Sequence, residues 1–346
     1  MMNSPKQGDY MYNFIGIDVS KLTLQIYIEA NESSVEIDND EKSLNIFYKD
    51  LKKLYKNDKP FVFIYEPTAN YSIALTRFCA KNNIFAYVVN TFVSSNFSKS
   101  LGNRNKTDIS DAQMLFNMQM MINKKDITVP VINPTVDELR ELVGYYRFLQ
   151  KQKVAFKNYN EAVTTNKSSN YILKDVKKNI TRIDKEQEEL INKAKAIING
   201  DDTLKKSFVH ITSIKGVGTL VGIFLLHLFL NYPNANRQQI TALLGLDPIT
   251  IESGTSVKKR SRISKKGLSM YRGIIFYSIL STVRFNEEFK TYYEHLKDRK
   301  KHTTSAQIAV MRKLILLAHS LYKNNVNYNP EQFKLKKVVQ KEEYAA

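Results

Sequence analysis

Between Phe14 and Ile122 the apolar residues recur with two periods in turn, and that order restricts the chain to a sheet with helices laid on it. FIGIDV, Phe14 to Val19, is a short apolar run that reads as a buried strand. LTLQIYIE then alternates, with Leu22, Leu24, Ile26 and Ile28 on one face. Only Ser20 and Lys21 separate the two, so they pair as a hairpin. Residues 41–56 switch to the helical period through Leu44, Phe47, Leu51, Leu54 and Tyr55. FVFIYE, Phe61 to Glu66, reads as a second buried strand, 71–82 as a helix, IFAYVVN as a third strand and 108–122 as a helix. A hairpin followed by helix, strand, helix, strand, helix implies a mixed sheet covered by helices.

After PVINPT the pattern changes. Thr135 is placed to cap a helix, with Glu138 completing a capping box. From there to about residue 195 the chain is charged, helical and nearly free of proline and glycine. Leu139, Leu142, Val143, Tyr146 and Leu149 form one apolar stripe, and Ile180, Ile183, Leu190, Ala194 and Ile197 a second, with a break near TTNKSSN. This predicts a long helical hairpin of coiled-coil type, a spacer or dimerisation arm. From residue 205 the chain predicts a mainly helical domain. In HITSIKGVGTLVGIFLLHLF, Gly216 and Gly218 form a tight turn between two apolar helices, similar to a helix-hairpin-helix element that offers glycine amides to a phosphate backbone. Two more helices are expected between Met270 and Asn324. The expected class is therefore α/β plus all-α, with domains at 12–130, 135–200 and 205–328 and a charged tail at 329–346.

The 346 residues are 43% hydrophobic, enough for two domains with cores. One cysteine, Cys79, excludes a disulfide framework and a cysteine-rich zinc site, and its apolar setting places it in a core. The longest apolar run, Leu220 to Leu230, is too short to span a bilayer and contains His227. With no targeting signal in the first 13 residues, the expected location is cytoplasmic, without a membrane. The formal net charge is +18. Residues 253–330 hold 16 Lys and Arg against four acids, so +12 lies in that segment. Such a local excess points to a polyanion, held through counterion release.

Four acids stand where they can hold metal. Asp18 ends the first strand, Glu66 ends FVFIYE, and Asp108 and Asp111 open a helix in KTDISDA, three residues apart and so on one face. Singly each has a structural use: closing a turn, pairing with a lysine, capping the helix or favouring its dipole. Together they suit two divalent ions that stabilise the attacking and leaving oxygens of a phosphodiester. Carboxylates without cysteine or histidine favour Mg²⁺.

ESGTSVKKRSRISKKG, Glu252 to Gly267, carries Ser253, Ser256, Ser261 and Ser264 among Lys258, Lys259, Arg260, Arg262, Lys265 and Lys266. These cations, with Arg272 beyond them, are the candidates for contacting a nucleic-acid strand. GIDVSK, YEPTANY, KTDISDA, GLDP, ESGTS and RISKKG, in that order, resemble the DEDD-type insertion-sequence transposases, the IS one-ten family that includes the Piv-like DNA invertases. The resemblance runs from about residue 14 to 320. It implies a RuvC-like (ribonuclease-H-like) domain whose Asp18, Glu66, Asp108 and Asp111 bind Mg²⁺, and a C-terminal transposase domain. It further implies Ser253, before Gly254, as the nucleophile of a covalent serine–DNA intermediate, with Ser256 the second choice. At least some members are guided by a structured bridge RNA and work as dimers to tetramers on donor and target DNA. This chain has Leu268 where the family usually has asparagine. Other classes stay open: a RuvC-like nuclease that uses water, which needs the acids but not Ser253, and a non-catalytic nucleic-acid-binding protein.

Overall fold

The central strand of the sheet is β1 (Asn13–Val19), because its residues are apolar on both sides and both faces are covered. The computed structural model describes residues 11–68, 70–101, 107–166, 169–253, 257–299 and 302–331, with the backbone alone over 250–261. The chain divides into two units, up to Asn133 and from Pro134 onward.

In the first unit, β1 pairs antiparallel with β2 (Thr23–Ile28), which pairs antiparallel with β3 (Ser33–Asp38). On its other side β1 runs parallel to β4 (Phe61–Tyr65), and β4 parallel to β5 (Phe85–Val88). The order is β3-β2-β1-β4-β5. One face carries Ile15, Ile17 and Val19 into a core with α1 (Glu41–Leu54) and α2 (Ile73–Lys81), where Cys79 is fully buried. The other face carries Phe14, Val62 and Ile64 into a core with Met114, Leu115 and Phe116 of α4 (Asp108–Asn117). A further helix, α3 (Thr91–Ser100), follows β5.

The sequence pattern departs from this in four places. Strand β3 was not expected, since SSVEID is polar and lies at the sheet edge. Leu22 does not share the face of Leu24 and Ile26; it is 72% exposed in the β1–β2 turn. Helix α3 has one buried residue, Ser94, so no apolar period announces it. The helix expected over 108–122 stops at Asn117 and tightens into a 3₁₀ turn over Met118–Met121.

The second unit opens with α5 (Pro134–Thr165) and α6 (Asn170–Gly200), packed antiparallel. Helix α5 starts two residues earlier than expected, with Pro134 at its first position, where proline loses no needed N–H. Thr135 therefore lies inside the helix rather than capping it. Between the helices Lys153 is ion-paired with Asp184, and the buried Gln187 donates to Gln150 at 2.9 Å. A polar layer between apolar ones fixes the register of such a pair. Next come α7 (Asp202–Thr212) and α8 (Thr219–Asn231). Nine of the 13 residues of α8 are buried, which makes it the centre of the core. Among the described residues no helix is long and apolar enough to cross a membrane.

After α9 (Arg237–Leu243) the basic stretch forms a hairpin of β6 (Pro248–Ser253) and β7 (Val257–Ile263). Its charges hid the strand pattern. Three helices follow rather than two: α10 (Ser269–Phe285), α11 (Glu287–Asp298) and α12 (Thr303–Asn324). Asn286 accepts from the Phe289 N–H and so starts α11 immediately after α10 ends.

Candidate active site and nucleic-acid interface

Two parallel strands and the helix over them carry the four acids. β1 and β4 are parallel with Ile17 opposite Tyr65, so Asp18 and Glu66 are the next pair, on strands about 4.8 Å apart. Alternation puts both on the face of Phe14, Gly16, Val62 and Ile64, which α4 covers. Helix α4 seats on that face at Gly16. A Cβ there would lie 2.2 Å from the Ala112 carbonyl oxygen, 2.5 Å from the Phe116 nitrogen and 2.8 Å from the Phe116 Cβ. Glycine is therefore required for this approach. Asp18 follows Gly16 by two residues on the same face. Asp111 precedes Ala112, and Asp108 lies one turn before that, on the stripe that continues into Ala112 and Leu115.

Asp108 does not cap its helix. Thr107 does, accepting from the Ser110 N–H at 3.2 Å, while Ser110 Oγ accepts from the Thr107 N–H at 3.0 Å. The Asp108 side chain is exposed, and those of Asp18, Glu66 and Asp111 are half-buried. Beside Glu66, the Tyr65 hydroxyl is hydrogen-bonded to Thr76 at 2.8 Å, and burial holds its pKa above the usual range.

A residue that the sequence pattern did not single out ties the site's loops together. Asn39 Nδ2 donates to the Ser20 carbonyl at 3.0 Å and to the Tyr71 carbonyl at 2.9 Å. These carbonyls belong to the loops that follow Asp18 and Glu66. Asn39 Oδ1 is buried and has no hydrogen-bond partner. As the side chains stand, no three of His, Cys, Asp or Glu among the described residues come close enough to hold a metal ion. The backbone placement and the donor chemistry nevertheless fit one. Asp18 and Glu66 stand at the carboxyl ends of two parallel strands, where open α/β sheets bind ligands, Asp108 and Asp111 open the helix over that face, and carboxylates are the hard-oxygen donors a divalent cation takes.

In the second unit Ser253 is the last residue of β6, with its backbone opposite Val257. Lys258 stands opposite Glu252 and Lys259 opposite Ile251, and Arg260 continues β7. Gly254 and Ser256 lie outside the described residues, as does the tail beyond Glu331. At the base the hairpin is locked. Ser264 Oγ donates to Asp247 Oδ1 at 2.5 Å, Ser264 N to the Asp247 carbonyl at 2.9 Å and Lys265 N to the Gly245 carbonyl at 3.0 Å. Gly267, at φ +147°, packs so closely that a Cβ would lie 2.3 Å from the Leu243 carbonyl oxygen. Ser264, one of the four serines of the basic stretch, is thus part of the lock.

Arg262, Lys265 and Lys266 are exposed. Arg272 is half-buried and donates from Nη1 to the Leu244 carbonyl at 2.9 Å, bracing the loop before β6. Gly216, at φ +96°, lies against the backbone of Thr282 in α10, whereas Gly218 caps α8 with open space around it. His227 is buried in α8 and hydrogen-bonded to Tyr271 and Asn231, and Arg140 of α5 donates to Asn231 at 3.0 Å. Burial, then the Arg140 charge, lowers the His227 pKa to about 4.

Two family models match the chain. Residues 15–165 match a transposase model of the DEDD type from IS110, and residues 209–294 match the model described as "Transposase IS116/IS110/IS902 family". The first span contains all four acids, and the second contains Ser253 and the basic stretch. The chain is also similar to the pilin gene-inverting proteins of Moraxella bovis, at 23% identity, and Moraxella lacunata, at 24%. Each similarity spans 323 residues, covering 90% of this chain and 96% of the relative.

Proposed function

The chain belongs to the IS110 family of DNA transposases and Piv-like invertases, and from that premise we propose that it cuts and rejoins DNA through a covalent Ser253–DNA ester, with Mg²⁺ held by Asp18, Glu66, Asp108 and Asp111. The observation that supports this reading is the register of β1 on β4, which makes Asp18 and Glu66 neighbours at the ends of two parallel strands on the face that α4 covers. The five-stranded mixed sheet supports reading the first unit as RuvC-like. The antiparallel α5–α6 pair supports reading those helices as a coiled-coil arm of a dimer or tetramer. A cytoplasmic location and a bridge RNA as guide complete the proposal, and the positive charge of the second unit suits both nucleic acids.

The carboxylates hold a divalent cation, which when bound stabilises charge on the phosphate oxygens. Ser253 Oγ bonds to the phosphorus, and the bond from phosphorus to the leaving deoxyribose oxygen breaks. The serine proton is lost and the leaving oxygen gains one. The ester keeps the energy of the broken bond, so the reverse attack by a deoxyribose hydroxyl on a new strand reseals the backbone without ATP. Lys258, Lys259, Arg260, Arg262, Lys265 and Lys266 neutralise the phosphates and hold the strand, with Gly216, Gly218 and Arg272 behind them. The acids and Ser253 belong to different units, so the chemistry requires those units to meet, within one chain or between copies.

The test is denaturing electrophoresis after incubation with DNA, Mg²⁺ and RNA from the element's flanks. A protein–DNA adduct is expected, lost in Ser253→Ala and in Asp18→Ala. Recombination without an adduct would overturn the serine chemistry. Cleavage that survives Ser253→Ala but not Asp18→Ala would identify a nuclease that uses water, and binding without strand transfer a non-catalytic protein.

A further inference from the structure

A cavity of about 640 Å³ opens in the second unit beside the start of β6, and no role described so far uses it. Its walls include Arg237, Gln238, Thr241, Pro248, Arg312 and Leu316, from α9, β6 and α12. Its size lies within the range of small-ligand sites. Two guanidinium groups face apolar walls built from a proline ring, a leucine and a threonine. The acid among its described lining residues, Asp247, is engaged by Ser264. Arg312 spends Nη2 on the Leu246 carbonyl at 2.9 Å, and its Nε is buried without a partner. The cations here also press on one another: burial and then the Arg237 charge hold the Lys313 ammonium below its ordinary pKa. The site has a surplus of positive charge and an unspent buried donor.

Neither a simple anion nor a simple apolar ligand satisfies this lining. An anion makes no use of the apolar walls, and an apolar molecule leaves the guanidinium charges unneutralised and Arg312 Nε unspent. A nucleotide answers both, its phosphate to the arginines and its base to Pro248, Leu316 and the guanidinium planes, on which bases stack. Pro248 lies five residues before Ser253 on the same strand, about 17 Å away along β6. A nucleic-acid strand attacked at Ser253 therefore passes within a few nucleotides of the cavity. We propose that this cavity receives one unstacked nucleotide of the strand engaged by the second unit and holds that strand in place by extracting a base from the stack. The proposal rests on the nucleic-acid reading above and adds a site to it.

The test uses the full-length protein and short single-stranded oligonucleotides carrying 2-aminopurine, as DNA and as RNA of the same sequence, beside a blunt DNA duplex. Binding of a single strand is expected to change the 2-aminopurine fluorescence. Leu316→Trp fills the cavity, and Arg237→Ala removes an exposed charge without disturbing the core. Each should weaken single-strand binding about tenfold, abolish the fluorescence change and leave duplex affinity within twofold. Loss in the DNA arm identifies the recombining strand as the source of the nucleotide, and loss in the RNA arm a guide. If Leu316→Trp melts poorly, Thr241→Phe fills the same space. A folded cavity-filling variant that binds single strands within twofold of wild type overturns the proposal, even if Arg237→Ala weakens binding, because charge alone would then suffice. A wild-type chain that binds neither single strands nor duplex would overturn the nucleic-acid reading itself.

Discussion

Adding one methyl group at Gly16 is expected to disable the site without touching any of its four acids. The new Cβ would stand 2.2 Å from the Ala112 carbonyl oxygen and 2.5 Å from the Phe116 nitrogen. Both are backbone atoms of α4, joined in its own hydrogen-bond ladder, so no side chain can swing aside. Relief requires α4 to lift from β1 by about 1 Å to regain ordinary contact. Overpacking of this kind costs about 3 kcal/mol, near the upper end of its usual range, because both obstructing atoms are backbone. The same lift moves Asp108 and Asp111 relative to Asp18 and Glu66, and a misplacement of about 1 Å costs on the order of 100-fold in rate. Gly16→Ala should therefore unfold at lower urea and lose strand transfer about 100-fold at concentrations where it is still folded. Gly144→Ala is the control. It lies in α5 with nothing within 4 Å of its Cβ, and should gain about 0.5–1 kcal/mol from helix propensity while keeping activity. Strand transfer by folded Gly16→Ala within threefold of wild type would refute the claim that the seat of α4 sets the site.

Three further outcomes are expected. Asn39→Ala removes the bonds to the Ser20 and Tyr71 carbonyls, and the Mg²⁺ concentration for half-maximal strand transfer should rise about tenfold while the acids remain. His227 has a folded pKa of about 4, below its ordinary value, so between about pH 6.5 and 4 the unfolded chain binds the extra proton; stability is present above pH 6.5 and is lost as pH falls through that window, by about 3 kcal/mol in all. Urea titrations from pH 7 to 4 should show that slope in wild type and a flatter one in His227→Gln. Arg272→Ala should lower stability by about 2 kcal/mol through the lost bond to the Leu244 carbonyl, whereas Lys266→Ala should reduce the salt dependence of DNA binding by about one counterion.

The parts of this protein visible in its sequence are those whose neighbours are also close in sequence or whose chemistry is costly out of place. β1, β2 and β4 were legible because their apolar runs reflect burial, and Asp18 and Glu66 because a carboxylate closing an apolar strand needs a reason. β3 and α3 left little trace, since one lies at the sheet edge and the other buries a single serine. Asn39 was invisible because its two partners are backbone carbonyls of loops 19 and 32 residues away. Gly16 did leave a signal, as glycine inside a strand marks a close backbone approach, but only the structure names α4 as the element that approaches. Arg272 shows the opposite case. Its position beside six cations suggested a phosphate contact, while one of its donors is committed to the loop before β6.

The two halves of the proposed chemistry are held by different physical means, and this difference bears on how the protein would be controlled. The strand register sets Asp18 beside Glu66, and Asp108 and Asp111 ride on the helix seated at Gly16, all within the first unit. Ser253 ends a two-stranded hairpin whose base is locked by Ser264, Gly267 and Arg272, and an isolated hairpin is marginal unless something covers it. Six like charges over Lys258–Lys266 also repel one another until a polyanion neutralises them. Bound nucleic acid therefore does more than supply the substrate. In the proposed chemistry it also relieves the repulsion along the strand that follows Ser253.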